Sequence, residues 1–192
     1  MRLFIAVNFD GEFTGRVLEI QERLRALAAR GNFSHPGNLH LTLVFLGETG
    51  AGFVPAIRDI IAALPSSGPF SINFDRAAHF RRNWKELWYI GAAPGSPGLE
   101  RLLELRAKLV KGIEAIAEAG SAPPRLPENG EPLSFDRRPF SAHITLGREL
   151  RLKTETGPFP VQLEAPIRRV SLMQSENRNG RLVYTELFGR DL

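Results

Sequence analysis

The chain contains no cysteine, which excludes disulfides, thiolate metal sites and a cysteine nucleophile. That composition fits the cytoplasm, and a cytoplasmic location is the expectation. No apolar run approaches the roughly 20 residues that a membrane-spanning helix needs, so no membrane contact is expected. The opening apolar stretch, RLFIAVN at 2–8, is too short for a secretory signal and has no small-residue cleavage site behind it. It reads as a first strand. Lysine is scarce: it occurs only at 85, 108, 111 and 153, so 21 of the 25 basic residues are arginine. Arginine's planar fork pairs bidentately with phosphate, which suits a nucleotide or RNA ligand. Codon usage explains the same ratio more simply, so the arginines alone carry no function. A short-period repeat is also missing, which excludes a solenoid.

What is present is an ordinary globular composition. The chain has 192 residues, 43% hydrophobic and 24% charged, with a net charge of +4. That length supports one domain or two small lobes around a real core. Asp10 is a good N-cap for a helix at about 11–29, with Val17, Ile20, Leu24 and Leu27 on one face and Gly31 as a stop. A second strand is expected at 39–47. Val54, Ile57, Ile61 and Leu64 predict a helix ending before Pro65. Strands at 69–80 and 86–92 meet around Arg81-Arg82-Asn83. The Gly/Pro-rich AAPGSPG at 92–98 is the expected boundary between two halves. A long helix at 99–118, a loop at 120–132 and a strand at 140–147 follow. Two strands at about 159–174 and 181–188 turn at Asn177–Gly180, with Pro160 and Pro166 set to interrupt the first.

Two of the four histidines sit in matching settings: His40-Leu41-Thr42-Leu43 and His143-Ile144-Thr145-Leu146. The chain has only seven threonines. On that count, two chance His-x-Thr pairs among four histidines have odds on the order of one in a hundred. Side chains two apart on a strand share a face, so each motif presents an imidazole beside a hydroxyl, with apolar residues on the other face. If the two strands face each other, two imidazoles and two hydroxyls converge. That set suits hydrolysis of a cyclic phosphodiester. One histidine takes a proton from the attacking water and the other gives one to the departing ribose oxygen, both being titratable near neutral pH. The threonine hydroxyls can bind the non-bridging oxygens, where charge builds in the transition state. Neither motif has a further ligand at metal-binding spacing, so no metal and no cofactor are expected. His35, before Pro36, reads as a surface residue. His79, at a strand end, is a lesser candidate for substrate contact. Phe45, Phe80, Trp84 and Trp88 are candidates for base stacking, although aromatic residues on strands more often belong to the core.

With these residues in hand, the chain resembles the two-histidine phosphoesterase superfamily, and within it the LigT-like RNA 2′,3′-cyclic phosphodiesterase (2′-5′ RNA ligase) family. RLFIAV at the start, HLTLVFLG from 40, LWYIG at 87–91, RPFSAHITLGR at 138–148 and the terminal VSLMQSENRNGRLVYTELF carry the resemblance. It implies an α+β, two-lobed duplicated fold, with two antiparallel sheets forming a central cleft and helices packed outside. Residues 1–192 would form one domain. It implies His40 as proton donor and His143 as proton acceptor, with Thr42, Thr145 and Arg148 binding phosphate. Strict alternation puts Arg148 on the wrong face, unless Gly147 lets the chain turn. Many members have proline before the second histidine, where this chain has Ala142. The implied substrate is RNA ending in a 2′,3′-cyclic phosphate, such as a tRNA half, acted on by a monomer. The implied product is a 2′-phosphomonoester, with reversible 2′-5′ ligation as a second activity. Two alternatives stay open: a phosphodiesterase for a small nucleotide (a cyclic ADP-ribose phosphate or a 2′-5′ oligoadenylate), and a non-catalytic RNA-end binding module.

Overall fold

Leu3 to Val7 are continuously apolar because the strand they form, β1 (Arg2–Asn8), is covered on both faces between its exposed ends. Leu3, Ile5 and Val7 enter the main core, while Phe4 and Ala6 join a smaller cluster on the opposite face with Met173, Phe45 and Tyr184. The computed structural model describes all residues except 67, 83, 84, 121–132 and 134. The loop expected at 120–132 therefore lies outside the described residues beyond Gly120, as do Asn83 of the expected turn and Trp84.

Helix α1 (Gly11–Leu27) begins where Asp10 accepts a hydrogen bond from the Phe13 N–H at 2.9 Å. A short strand, β2 (Ala28–Phe33), follows where a helix end was expected. Its sequence, AARGNF, has no strand pattern. Pairing with a distant strand imposes the conformation, as tertiary context often does for a polar segment. Next come β3 (His40–Glu48), α2 (Val54–Ala62), β4 (Phe70–Arg82), β5 (Lys85–Ala92) and α3 (Pro97–Gly120). The chain ends with β6 (His143–Leu152), β7 (Phe159–Ile167), β8 (Arg169–Arg178) and β9 (Arg181–Asp191). The expected strand at 159–174 is thus two strands, β7 and β8, which pair with different partners. The β8–β9 turn takes Asn179 and Gly180 at φ 53° and 79°, the left-handed pair that a tight hairpin requires.

The architecture is α+β, as expected. The antiparallel strands run in the order β7-β4-β5-β6-β3-β1-β8-β9, with β2 also on β6. Two halves are recognisable, β7-β4-β5-β6 and β3-β1-β8-β9, joined through one pair, Leu41↔Ile144. Each half takes strands from both sides of residues 92–98, so the halves of the sheet are interleaved halves of the sequence. The helices bury their apolar faces (Val17, Ile20 and Leu24; Ile57 and Ile61; Leu102, Leu109 and Ile113) in the core formed by one face of the sheet. Among the described residues, no helix is long and apolar enough to cross a membrane.

Candidate active site

Leu41 and Ile144 point into the core, both fully buried. Strand alternation then puts His40, Thr42, His143 and Thr145 together on the other face. Beyond the single Leu41↔Ile144 pair the two strands part. The opening is a cleft of about 540 Å³ whose walls include Thr42, Phe45, Phe80, Arg106, His143 and Arg148.

Where β3 and β6 part, donors from outside that strand pair bind their backbone carbonyls. On β6, the Ser34 hydroxyl donates to Thr145 O at 2.7 Å, and Leu146 O accepts both the Ser34 N–H at 2.9 Å and the side-chain amide of buried Gln21 of α1 at 2.8 Å. On β3, Arg106 of α3 donates to Leu43 O at 3.0 Å, and the Asp136 N–H donates to Phe45 O at 3.0 Å. Both motif strands are thus braced as they leave the sheet.

The imidazoles are fixed in matching ways. His40 Nδ1 lies 2.7 Å from Asn38 O, and His143 Nδ1 lies 2.7 Å from Ser141 O. A carbonyl only accepts, so each Nδ1 carries hydrogen and each Nε2 is left for proton exchange. His40 Nε2 is 2.9 Å from Thr42 Oγ1. No such bond joins His143 to Thr145 among the described residues, so the two sites are not equivalent. The rings are also walled in. Phe4 and Tyr184 stand 4.9 and 5.1 Å from His40, and Tyr89 and Phe80 stand 5.4 and 5.9 Å from His143. The chain has only two tyrosines, and each packs its ring against one of the two histidines.

Burial lowers the pKa of both histidines below the ordinary value, although the carbonyl partner of each pulls the other way. The Arg148 guanidinium lowers both further, and His143 adds to the effect on His40. Arg148 reaches this face because β6 carries an extra residue. Thr145 pairs with Tyr89 but Gly147 pairs with Trp88, two steps against one. That bulge resets the alternation, so the residue after Gly147 returns to the side of His143 and Thr145. β3 has the same irregularity at the same motif position, Thr42 pairing with Ala6 and Val44 with Ile5. Phe45 therefore occupies in one motif the place that Arg148 holds in the other, and both line the cleft.

Among the described residues, four arginines reach the cleft, and three are engaged. Arg138 is bound to Asp136, Arg106 to Leu43 O, and Arg2 lies 5.3 Å over the Phe45 ring. The Arg148 guanidinium has no hydrogen-bond or ion-pair partner among the described residues. His79 and Trp88 lie on the opposite face of the sheet. Trp88 is fully buried, its ring 4.8 Å from His79 and its indole N–H bound to Glu86 at 2.8 Å. Neither meets the cleft. His35 is exposed and caps the turn at Pro36–Asn38. Sequence patterns did not single out Gln21, Arg106, Tyr89 or Tyr184. The one available signal was a glutamine set within the apolar face of a helix. Among the described residues, no three His, Cys, Asp or Glu side chains gather as a metal site requires.

The lowered histidines make a stability prediction. Between about pH 6.5 and their folded values, the unfolded chain binds more protons than the native one, so acidification through this window destabilises the fold. Thermal melts of the parent should lose stability there, and a His40→Asn/His143→Asn variant should lose less. The window is separate from that of Asp136, which Arg138 holds at about 2. Equal acid sensitivity of the two proteins between pH 7 and 5 would refute the assignment.

Comparison with known proteins points one way. Residues 7–86 match a family model described as LigT like Phosphoesterase. An RNA 2′,3′-cyclic phosphodiesterase of Thermus thermophilus is 30% identical over 191 residues, which is 97% of this chain and 88% of the relative. One from Archaeoglobus fulgidus is 30% identical over 156 residues, 81% of this chain and 76% of the relative. Among solved structures, a Thermus thermophilus protein superposes with a TM-score of 0.79 at 28% identity, covering 100% of this chain and 98% of its own. Escherichia coli LigT complexed with 3′-AMP gives 0.74 at 24% identity, over 100% and 97%, a likeness of fold.

Proposed function

The chain belongs to the LigT-like phosphoesterase family, and on that premise we propose that it opens RNA 2′,3′-cyclic phosphate ends to 2′-phosphomonoesters through His40 and His143. The observation that carries this reading is the pair of imidazoles on one face of the sheet, at the cleft that Thr42 and His143 line, each with Nδ1 tied to a backbone carbonyl so that Nε2 is the nitrogen that exchanges a proton.

His143 takes a proton from water as the water oxygen attacks phosphorus. The P–O3′ bond breaks, and His40 gives its Nε2 proton to the departing O3′. Thr42, Thr145 and Arg148 bind the non-bridging oxygens. The donor must be protonated although burial and Arg148 oppose it. The arriving phosphodiester anion offsets both, so binding substrate takes up a proton. Thr42 Oγ1, 2.9 Å from His40 Nε2, accepts that N–H and holds the ring in place until the departing O3′ takes over as acceptor. Phe45 and Phe80 offer stacking faces for bases at the cleft wall. Residues 1–192 act as one catalytic unit, in a monomer of the cytoplasm. Ligation is the same ring opening with a 5′-hydroxyl in place of water as the nucleophile, and water at its high concentration favours hydrolysis.

The test is product analysis on an oligonucleotide with a 2′,3′-cyclic phosphate end, in excess EDTA. Turnover with more than about nine-tenths of the phosphate left on the 2′-oxygen, read by phosphorus NMR, is expected. Mostly 3′-phosphate would reverse the assignment of roles. Loss of turnover in EDTA with recovery on adding Mg²⁺ or Mn²⁺ would sink the two-histidine mechanism. A much faster rate on cyclic ADP-ribose phosphate or a 2′-5′ oligoadenylate would move the substrate class to small nucleotides.

A further inference from the structure

Only two non-glycine residues among those described have a left-handed backbone, Asn179 and Glu149, at φ 53° and 55°. Asn179 lies in a hairpin turn that demands this conformation. Glu149 lies inside β6, next to Arg148, and is a residue type that gains nothing from it. Strain held within a regular element calls for a reason, and here the neighbouring geometry supplies one.

The backbone from Gly147 to Leu150 performs two reversals. The first bulge sends Arg148 to the cleft. Without a second irregularity, the alternation would then carry Leu150 to the cleft as well. Instead, the pairing steps from Trp88↔Gly147 to Glu86↔Leu150, three residues of β6 against two of β5. The left-handed turn at Glu149 takes up the extra residue, and Leu150 returns to the core, fully buried. Gly147 leaves the room for this: a Cβ there would come within 2.5 Å of Leu150 Cδ1. Beyond the turn, the Glu149 carboxylate is ion-paired with Lys85 of β5. Arg148 is thus held between a core anchor on one side and a pinned turn on the other, in the wall of the cleft that His143 also lines.

We propose that Glu149 is a positioning residue: its left-handed conformation aims Arg148 at the phosphate site. The proposal rests on the reading of Arg148 as a phosphate-binding group and extends it to a residue that never meets the substrate. The conformation does the positioning, and the Lys85 pair offsets its strain.

The experiment measures affinity for inorganic phosphate by calorimetry, together with kcat and KM, on folded variants. Glu149→Gly accepts the left-handed turn without strain, so its phosphate affinity should stay within about threefold of the parent. Glu149→Val cannot hold that turn, so its affinity should fall about tenfold, with KM rising by a similar factor and kcat changing less. Parental phosphate affinity in folded Glu149→Val would overturn the proposal. So would equal losses in the valine and glycine variants, which would assign the effect to the carboxylate. If the valine variant does not fold, the β-branched but polar Glu149→Thr replaces it, with a drop of more than about fivefold expected and parental affinity again overturning the proposal. Arg148→Ala is the separate control. Unchanged phosphate affinity there would mean that the reading of Arg148, rather than the positioning by Glu149, has failed.

Discussion

His40→Ala and His143→Ala should each lower kcat by roughly 10²–10⁴-fold, the usual range for a positioned acid or base. The double variant should lose far less than the product of the two single losses, because one displacement needs both proton transfers and neither group is useful alone. All three proteins should stay folded. Both imidazoles lie on the face of the sheet opposite Leu41 and Ile144, which enter the main core. The threonines should matter less, since each supplies one neutral hydrogen bond to a phosphate oxygen. They should also differ from each other. Thr42 bonds His40 Nε2 as well, so Thr42→Val should cost more than Thr145→Val. Steady-state kinetics on a cyclic-phosphate oligonucleotide, with circular dichroism for the fold, tests the set. Full activity in either folded histidine variant would end the proposal.

Arg148→Ala should reduce kcat/KM by about 10²–10³-fold, the scale seen when one preorganised charge partner of a transition state is removed. It should also move the pH profile in a defined direction. Arg148 lowers both histidine pKa values by charge repulsion. Removing it therefore raises both, and the bell of kcat/KM against pH should shift toward higher pH. The two limbs belong to the coupled pair and not to single residues. Arg148→Lys separates the two effects. It restores the charge, so the profile should return toward its parental position. It lacks the planar fork, so the rate should recover only in part. An alanine variant with an unmoved pH profile would remove Arg148 from the neighbourhood of the histidines in solution.

The motif residues were legible because strand alternation is local. His40 and Thr42, or His143 and Thr145, share a face whatever lies around them. The helices were legible for the same reason: Val17, Ile20 and Leu24 recur at the spacing of one helical face and are buried together. The misreadings have one cause. β2 has no strand pattern of its own and is extended because β6 offers it a partner. Pro160 and Pro166 were the local signs of a break in the run at 159–174, but its place, just after Ile167, is set by pairing, first with β4 and then with β1. Arg148 fell on the wrong face by alternation because a bulge is defined by two strands and cannot be counted along one.

The sequence by itself determined the chemistry available and the local direction of each group: two imidazoles, each beside a hydroxyl, with apolar anchors behind and no thiol anywhere. Tertiary structure alone decided that the two motifs meet, since Leu41 and Ile144 are paired across more than half the chain. It also decided which nitrogen each ring leaves open, because Asn38 O and Ser141 O choose the tautomers. It decided the aromatic walls as well, which come from Phe4, Tyr184, Tyr89 and Phe80 on four different strands. The physical reason is the range of the interactions involved. Alternation and helical spacing act over a few residues, whereas burial, electrostatic fields and pairing register depend on neighbours that only the folded chain brings within reach.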